Sequence, residues 1–287
     1  MNDLTVFDWL TRYEKIVTDR VIFGSITEKT KTDYTRMIKH VGNLWGGMLL
    51  SRISVADISS AISHIAETKP HSARRFRLNL SDLFKEAQRE GILPLGHNPA
   101  IVTREPFTRV DTNRLTMSEW SAIFCRAEHT APDYFITAML FALVTAQRRS
   151  DITSLHSNQI FDGYLHIKQK KTGEMIALPL TLRLDVLDVS LADVINMSSK
   201  NGYLLRQTNG KPVNPWSLSY WFKRCRDECL PPCSNGKPPP FREQRSLAER
   251  LYRDQGIDTR TLLGHRYQSM TDQYNDLRGR DYRRLIL

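Results

Sequence analysis

Nowhere in its 287 residues does the chain hold an apolar run approaching the ~20 residues needed to span a membrane. Its start, MNDLTVFDWLTRYEK, lacks the basic-then-apolar order of a secretory signal. Cysteine is scarce: of the four, Cys125 stands alone and Cys225, Cys229 and Cys233 form no disulfide framework of the secreted kind, which points to the cytosol. The trio raises zinc as an alternative, but no fourth cysteine or nearby histidine completes a tetrahedral set. Cys225 and Cys229 lie one helical turn apart beside Trp221 and Phe222, the pattern of a packed helix face, so no metal is expected. Internal repeats and low-complexity tracts are also missing. Acidic residues are in the minority, 31 against 41 Lys and Arg, and the net charge of +10 suits a polyanionic partner such as nucleic acid, with a merely solvated basic surface equally open on charge alone.

With 40% hydrophobic and 25% charged residues the chain can bury two cores. Residues 1–93 read as helices with basic faces. Phe7, Leu10 and Val17 mark a first apolar stripe; Tyr34, Met37, Ile38 and Val41 follow the i, i+3, i+4, i+7 pattern of a second helix. Ser54, with Asp57 three residues on, caps a third that buries Ile58, Ile62 and Ile65. Ser72 is the expected N-cap of a fourth, with Phe76, Leu80, Leu83, Phe84 and Ala87 along one face and Gly91 at its stop. Arg74, Arg75 and Arg77 open that helix, where the macrodipole favours anions; phosphate contact and plain solvation are both open for them. Residues 94–114, with Pro94, Pro99 and Pro106 and no apolar period, read as a linker before a second domain at 115–287.

In that second half, LTMSEW restarts a helical pattern, and Met139, Leu140, Leu143 and Val144 run into Gln147, Arg148 and Arg149. Tyr164 to Gln169 and Met175 to Leu180 have strand composition and flank a turn at Lys171, Thr172 and Gly173, so a hairpin is expected. A helix starting at Pro215 after Asn214 is read as burying Trp216, Trp221 and Phe222 and presenting Lys223, Arg224 and Arg226 on its other faces. After a proline-rich stretch at 231–240, FREQRSLAERLYRDQG and TRTLLGH are again helical.

Four separated segments resemble the tyrosine recombinase, or phage integrase, family. TAQRRSDI is similar to its first-arginine box and contributes Arg148; KKTG resembles the hairpin lysine motif and contributes Lys171. REQRS occupies the second box, usually His-x-x-Arg, with Arg242 and Arg245 at its two functional positions. LLGH supplies His265, and Tyr274 in MTDQY follows nine positions on, as the family spacing requires. The phrasing AERLYRDQG, LLGHR and DLRGRDYRRLIL is most similar to the lambda-type branch. The sequence begins about where the core-binding domain of that branch should, after its extra N-terminal arm-binding domain; a simpler recombinase, a truncated remnant and an expressed fragment are all open. The resemblance implies a mainly α fold with a small β-sheet: a helical, SAM-like core-binding domain and a catalytic domain of the DNA-breaking-rejoining type, closing as a C-shaped clamp on duplex DNA. It implies site-specific cleavage and rejoining, in DNA integration and excision, through a 3′-phosphotyrosyl bond, without metal or nucleotide cofactor. It also implies a homo-tetramer on double-stranded DNA, DNA-bending accessory proteins as further partners, and a place in the cytoplasm of a bacterial host, on the nucleoid.

The chemistry of the residues agrees. A tyrosine, with its ordinary pKa of ~10, is a weak nucleophile at neutral pH and needs positive charge around the phosphate it attacks. Arg148 and Arg245 present planar donor forks that stay ionised, and Lys171 is an ammonium able to give a proton to a departing 5′ oxygen. His265 is expected to donate to the same phosphate, and Asp151, near Arg148, to orient the arginine segment. Lys223 and Arg224, with Arg74, Arg75 and Arg77, are candidate DNA-backbone contacts. Two positions depart from the family pattern: Ala146 stands where Gly is usual, and Arg242, which cannot accept a proton, stands where His is usual. The second leaves open a catalytically impaired prophage remnant that only binds DNA; a type IB topoisomerase-like strand transferase is the other alternative. The closing Arg283, Arg284, Leu285, Ile286 and Leu287 suggest a strand that docks either on a neighbouring protomer or on its own domain.

Overall fold

Thr5 and Asp8 exchange side-chain and backbone hydrogen bonds in a capping box that starts α1 (Val6–Ile22), and its buried face is Val6, Trp9, Leu10, Tyr13 and Val17. Phe7 is out of phase with that stripe and 61% exposed; its ring lies over Gly46, where an added Cβ would fall 2.3 Å from it. The computed structural model describes residues 4–207, 209–233 and 235–275, and the chain divides into two compact units, Met1–Arg109 and Val110–Leu287. The expected tail strand at 283–287 lies outside the described residues. Among the described residues no helix is long and apolar enough to cross a membrane.

The first unit continues with α2 (Glu28–Trp45), α3 (Val55–Thr68), α4 (Pro70–Arg89) and the single turn α5 (Pro99–Val102). Ser54 and Asp57 cap α3 as their spacing predicts. Ser72 does not cap α4: the helix begins two residues earlier at Pro70, whose missing N–H and fixed φ suit a first helical position. Phe76, Leu80, Leu83, Phe84 and Ala87 are buried together as expected. Part of the segment read as a linker is ordered against this unit. Ala100 is buried in its core, and Arg77 donates to the carbonyls of Ile101 (2.8 Å) and Thr103 (3.0 Å). A polar group ties α1 to α4: Arg20 binds Asp82 at 2.7 Å and Glu86 at 2.6 Å, and the Tyr13 hydroxyl donates to Asp82 at 2.5 Å.

The second unit packs around α7 (Asp133–Thr145), which is buried on nearly every side and needs no amphipathic face. Before it comes α6 (Met117–Thr130), and after it the turn α8 (Arg149–Ile152). An antiparallel sheet follows, ordered β1 (Ile160–Phe161), β2 (Tyr164–Lys168), β3 (Met175–Pro179), with Leu165 paired to Leu178 and Ile167 to Ile176. Strands β2 and β3 are the expected hairpin. The short pair β4 (Arg183–Leu184) and β5 (Val189–Ser190) leads to α9 (Leu191–Asn196), and then come α10 (Pro215–Cys229), α11 (Glu243–Asp254), α12 (Thr259–Leu263) and α13 (Gln268–Asn275).

Asn214 caps α10 as its sequence indicates, but two side chains fall elsewhere than expected. The buried face is Leu218, Phe222, Cys225 and Arg226. Trp216 lies two residues, roughly 200° around the helix, from Leu218 and is 68% exposed. Arg226, read as an outward cation, is buried and donates to the Pro239 carbonyl at 2.9 Å, fastening the proline-rich stretch ahead of α11. Cys225 and Cys229 sit on this helix as free thiols.

Removing Arg20 leaves Asp82 without its cation and Glu86 with Arg89 alone. Arg20→Ala is expected to cost the first unit about 2 kcal/mol. Hydrogen exchange checks this: protection should fall through α1 and α4 and stay unchanged in α7 and α11.

Candidate active site

α7 ends in a left-handed residue, and that residue is Ala146, at φ 53° and fully buried. The family's usual glycine therefore has a backbone reason, and alanine holds the same turn at a strain of ~1 kcal/mol. The turn frees the Ala146 carbonyl to face Arg245 and sends the chain into Gln147 and Arg148.

Two buried amides then set the geometry. Gln147 Nε2 donates to the Thr145 and Leu262 carbonyls, both at 2.9 Å, while its Oε1 accepts from Gln169 Nε2 at 2.8 Å. Gln169, wholly buried at the end of the hairpin strand, also donates to the Leu263 carbonyl at 2.9 Å. Its Oε1 accepts from Arg148 Nη1 and from Thr172 Oγ1, each at 2.8 Å. One side chain thereby links the first arginine, the lysine-bearing turn and the corner before His265. Gly264, at φ 61°, closes against this amide, and a Cβ there would meet Gln169 Nε2 at 2.9 Å.

Arg245 is 4% exposed and has no carboxylate partner among the described residues. Its donors go to the Ala146 carbonyl at 2.6 Å and the Leu263 carbonyl at 2.7 Å, and Nη2 faces His265 Nε2 at 3.3 Å. Burial pushes its pKa below the ordinary arginine value; Tyr274 opposes this and Arg148 adds to it. Because guanidinium only donates, His265 Nε2 is the acceptor there, so Nδ1 carries the proton and donates to the buried Thr271 Oγ1 at 2.9 Å. Burial first, then Arg245 and Arg148, lower the His265 pKa to about 4, so the ring is neutral at pH 7. In this arrangement its one N–H is taken by Thr271, so the donation to the phosphate expected from the sequence is not offered here. Its ring stacks on Tyr274 with centroids 5.7 Å apart and planes at 22°.

Arg148, Lys171, Arg242, Arg245, His265 and Tyr274, far apart in sequence, line one cleft of about 530 Å³. Arg114 and Glu243 line it too, so five cationic side chains face it with one carboxylate. Arg242 is exposed at the head of α11 and Lys171 is exposed on the hairpin turn. The Asp151 backbone N–H donates to the Arg148 carbonyl at 2.8 Å, but its carboxylate does not bond an arginine side chain; Oδ1 accepts from the Lys170 backbone N–H at 2.9 Å and so braces the lysine turn.

Gln147, Gln169, Thr271 and Arg114 escape a reading based on charge and motif spacing. Arg114 Nη2 donates at 2.5 Å to the Gln273 carbonyl, immediately before Tyr274, and Nη1 reaches Ser246 Oγ at 2.7 Å and Glu243 at 3.3 Å. It ties the tyrosine helix to α11. One of three arginines in a proline-rich stretch without apolar period, it carries no sequence signal for this. The other candidate DNA contacts lie outside the cleft: Arg77 is spent on the 101–103 carbonyls, while Arg74 pairs with Glu105 and Arg75 with Asp33 at the surface. Lys223 is exposed, and Arg224 pairs with Glu228 over the Trp221 ring. Among the described residues no cluster of His, Cys, Asp and Glu is arranged to hold a metal.

The mainly helical fold with this cleft is that of a tyrosine recombinase, and residues 113–280 match the phage integrase family, to which the chain belongs. It is 38% identical to the prophage integrase IntE of Escherichia coli (strain K12), over 99% of this chain and 78% of that protein. It is 39% identical to the integrase of Enterobacteria phage P21, over 98% and 77%. A lambda integrase dimer bound to a COC′ core site superposes with a TM-score of 0.91 at 34% identity, covering all of this chain and 81% of that one.

The neutral His265 gives a pH signature. The unfolded chain takes up a proton at this histidine near pH ~6.5 and the native state only near about 4. The stability it contributes is complete above the unfolded value and is lost as pH falls from ~6.5 through about 4. The melting temperature of His265→Asn should therefore fall less steeply than the native protein's between pH 7 and pH 4.5. Parallel curves would show that the ring titrates in the native state as it does in the unfolded chain, and that burial does not hold it neutral.

Proposed function

We propose that this protein cleaves and rejoins duplex DNA at specific sites through a covalent phosphotyrosine, in integration and excision of a phage-type element. The observation that carries the reading is the convergence of Tyr274 with Arg148, Lys171, Arg242 and Arg245 on one cleft, with Arg245 buried and lacking a carboxylate. A scissile phosphate supplies the anionic partner that Arg245 lacks and offsets the excess of positive charge in the cleft.

Tyr274 Oη attacks the phosphorus, the bond to the 5′ oxygen breaks, and the tyrosine becomes ester-linked to the 3′ phosphate. Lys171 protonates the departing 5′ oxygen, and the two arginines held by the glutamine pair stabilise the added charge of the pentavalent transition state. Arg242 has no lone pair to give, so the tyrosine proton passes to water in the open cleft while Arg242 binds phosphate. A 5′ hydroxyl from the exchanged strand reverses the step, and no metal or nucleotide is needed because the phosphotyrosyl bond conserves the ester energy. Exchange between two duplexes takes four such sites, hence a homo-tetramer on DNA. The lambda integrase tetramer bound to a Holliday junction, with a TM-score of 0.91 and 33% identity, supports that assembly. The helical first unit supplies further backbone contacts through Arg74 and Arg75, whose surface ion pairs are open to exchange, and Lys223 and Arg224 extend them on α10. DNA-bending proteins assist where two sites must be brought together.

Tyr274→Phe should abolish covalent attachment to a suicide substrate while duplex binding stays within about twofold, because only the nucleophilic oxygen is lost. A surviving adduct would move the nucleophile to Tyr267, since Tyr252 is buried with its hydroxyl on the Val144 carbonyl. On the same substrate Arg242→Ala should slow single-turnover cleavage by about 10² or more. If Arg242→His instead accelerates cleavage and flattens its rise with pH, the position needs a proton acceptor; equal rates for all three forms would exclude Arg242 from the chemistry.

A further inference from the structure

Beside the catalytic cleft lies a second pocket of about 490 Å³. The two share Arg148, Arg242 and Arg245, and the second adds Arg149, Trp216 and Ser219, with no acidic residue in its lining. Neither Arg149 nor Trp216 has a part in the cleavage chemistry described above.

Arg149 is held in a way that prepares it for an anion. Its Nη1 donates to Ser219 Oγ, and its guanidinium carbon sits 4.3 Å from the centre of the Trp216 ring. It has no acidic partner among the described residues, whereas Arg74 and Arg75 of the first unit pair with Glu105 and Asp33. Burial lowers its pKa, and the neighbouring Arg242 lowers it further, so the cation is held where both desolvation and like charge disfavour it. Trp216 remains 68% exposed, the largest side chain left out of the core by α10. An indole at the surface beside a flat guanidinium is the combination that grips a nucleic-acid backbone, the ring against sugar or base and the fork on phosphate oxygens. Packing alone explains neither the missing carboxylate nor the exposed ring.

We infer that Arg149 and Trp216 form a subsite for a second phosphodiester of the strand whose scissile phosphate occupies the cleft, Arg149 binding the phosphate and Trp216 covering the adjoining sugar. This rests on the DNA-cleaving reading above. The subsite fixes the strand on a second point, so the scissile phosphate cannot swing about a single anchor.

The test is the salt dependence of binding to a random-sequence duplex of about 30 base pairs, where the slope of log K against log salt falls by ~0.9 for each phosphate that the protein no longer neutralises. Arg149→Ala and Arg149→Gln should each lower the slope by about one phosphate's worth; the glutamine keeps a hydrogen-bonding side chain for Ser219, so it covers the case in which alanine fails to fold. Trp216→Ala should weaken binding with the slope unchanged, since it removes no charge. Native slope and affinity in a folded Arg149 variant would overturn the subsite while leaving the functional reading intact. A flat salt dependence in the native protein would overturn both.

Discussion

The hydrogen-bonded pair Gln147–Gln169 is the interaction on which the catalytic unit's geometry depends. It joins the end of α7, the lysine hairpin and the corner between α12 and His265 at one buried point. Amides suit this task because each offers donors and acceptors without charge, so all the partners are satisfied and no field is cancelled. A carboxylate at either position would neutralise the arginines that the site must keep available. An apolar residue would leave the Leu262 and Leu263 carbonyls without these donors.

The buried guanidinium of Arg245 shows the cost side of the same design. Placing a cation in the interior without a counter-ion is unfavourable by several kcal/mol unless hydrogen bonds and a later anion offset it. Backbone carbonyls from two turns supply the hydrogen bonds, and both turns require left-handed residues, Ala146 and Gly264, to aim those carbonyls inward. Burial first, and then the surrounding positive charge, hold His265 neutral, and its ring stacks on Tyr274. Arg114 completes the frame by tying the backbone before Tyr274 to α11. The fold thus commits stability to a cleft whose charge balance is restored only by a bound anion.

Much of this was legible in the chain. The periodicities of α2, α3 and α4, the Ser54 and Asn214 caps, the hairpin around Gly173 and the buried run of α7 are local patterns with local physical causes. The spacing of Arg148, Lys171, Arg242, Arg245, His265 and Tyr274 identified the set that lines the cleft. Less legible were side chains whose fate depends on helix phase. Trp216, Arg226 and Phe7 went astray because a bulky or charged side chain on a helix carries no information on which face the neighbour covers.

By itself, the sequence determined the helical class, the family and the membership of the site, because these follow from periodicity and from motif chemistry at fixed spacing. Only the tertiary structure decided how the site is held. Gln169 and Arg114 act on partners 94 and 159 residues away in the chain, and Ala146 matters for a backbone angle rather than for its side chain. Hydrogen bonds to backbone carbonyls are blind to the identity of the residue that offers the carbonyl. No spacing or composition could therefore have announced them; folding had to bring donor and acceptor together first.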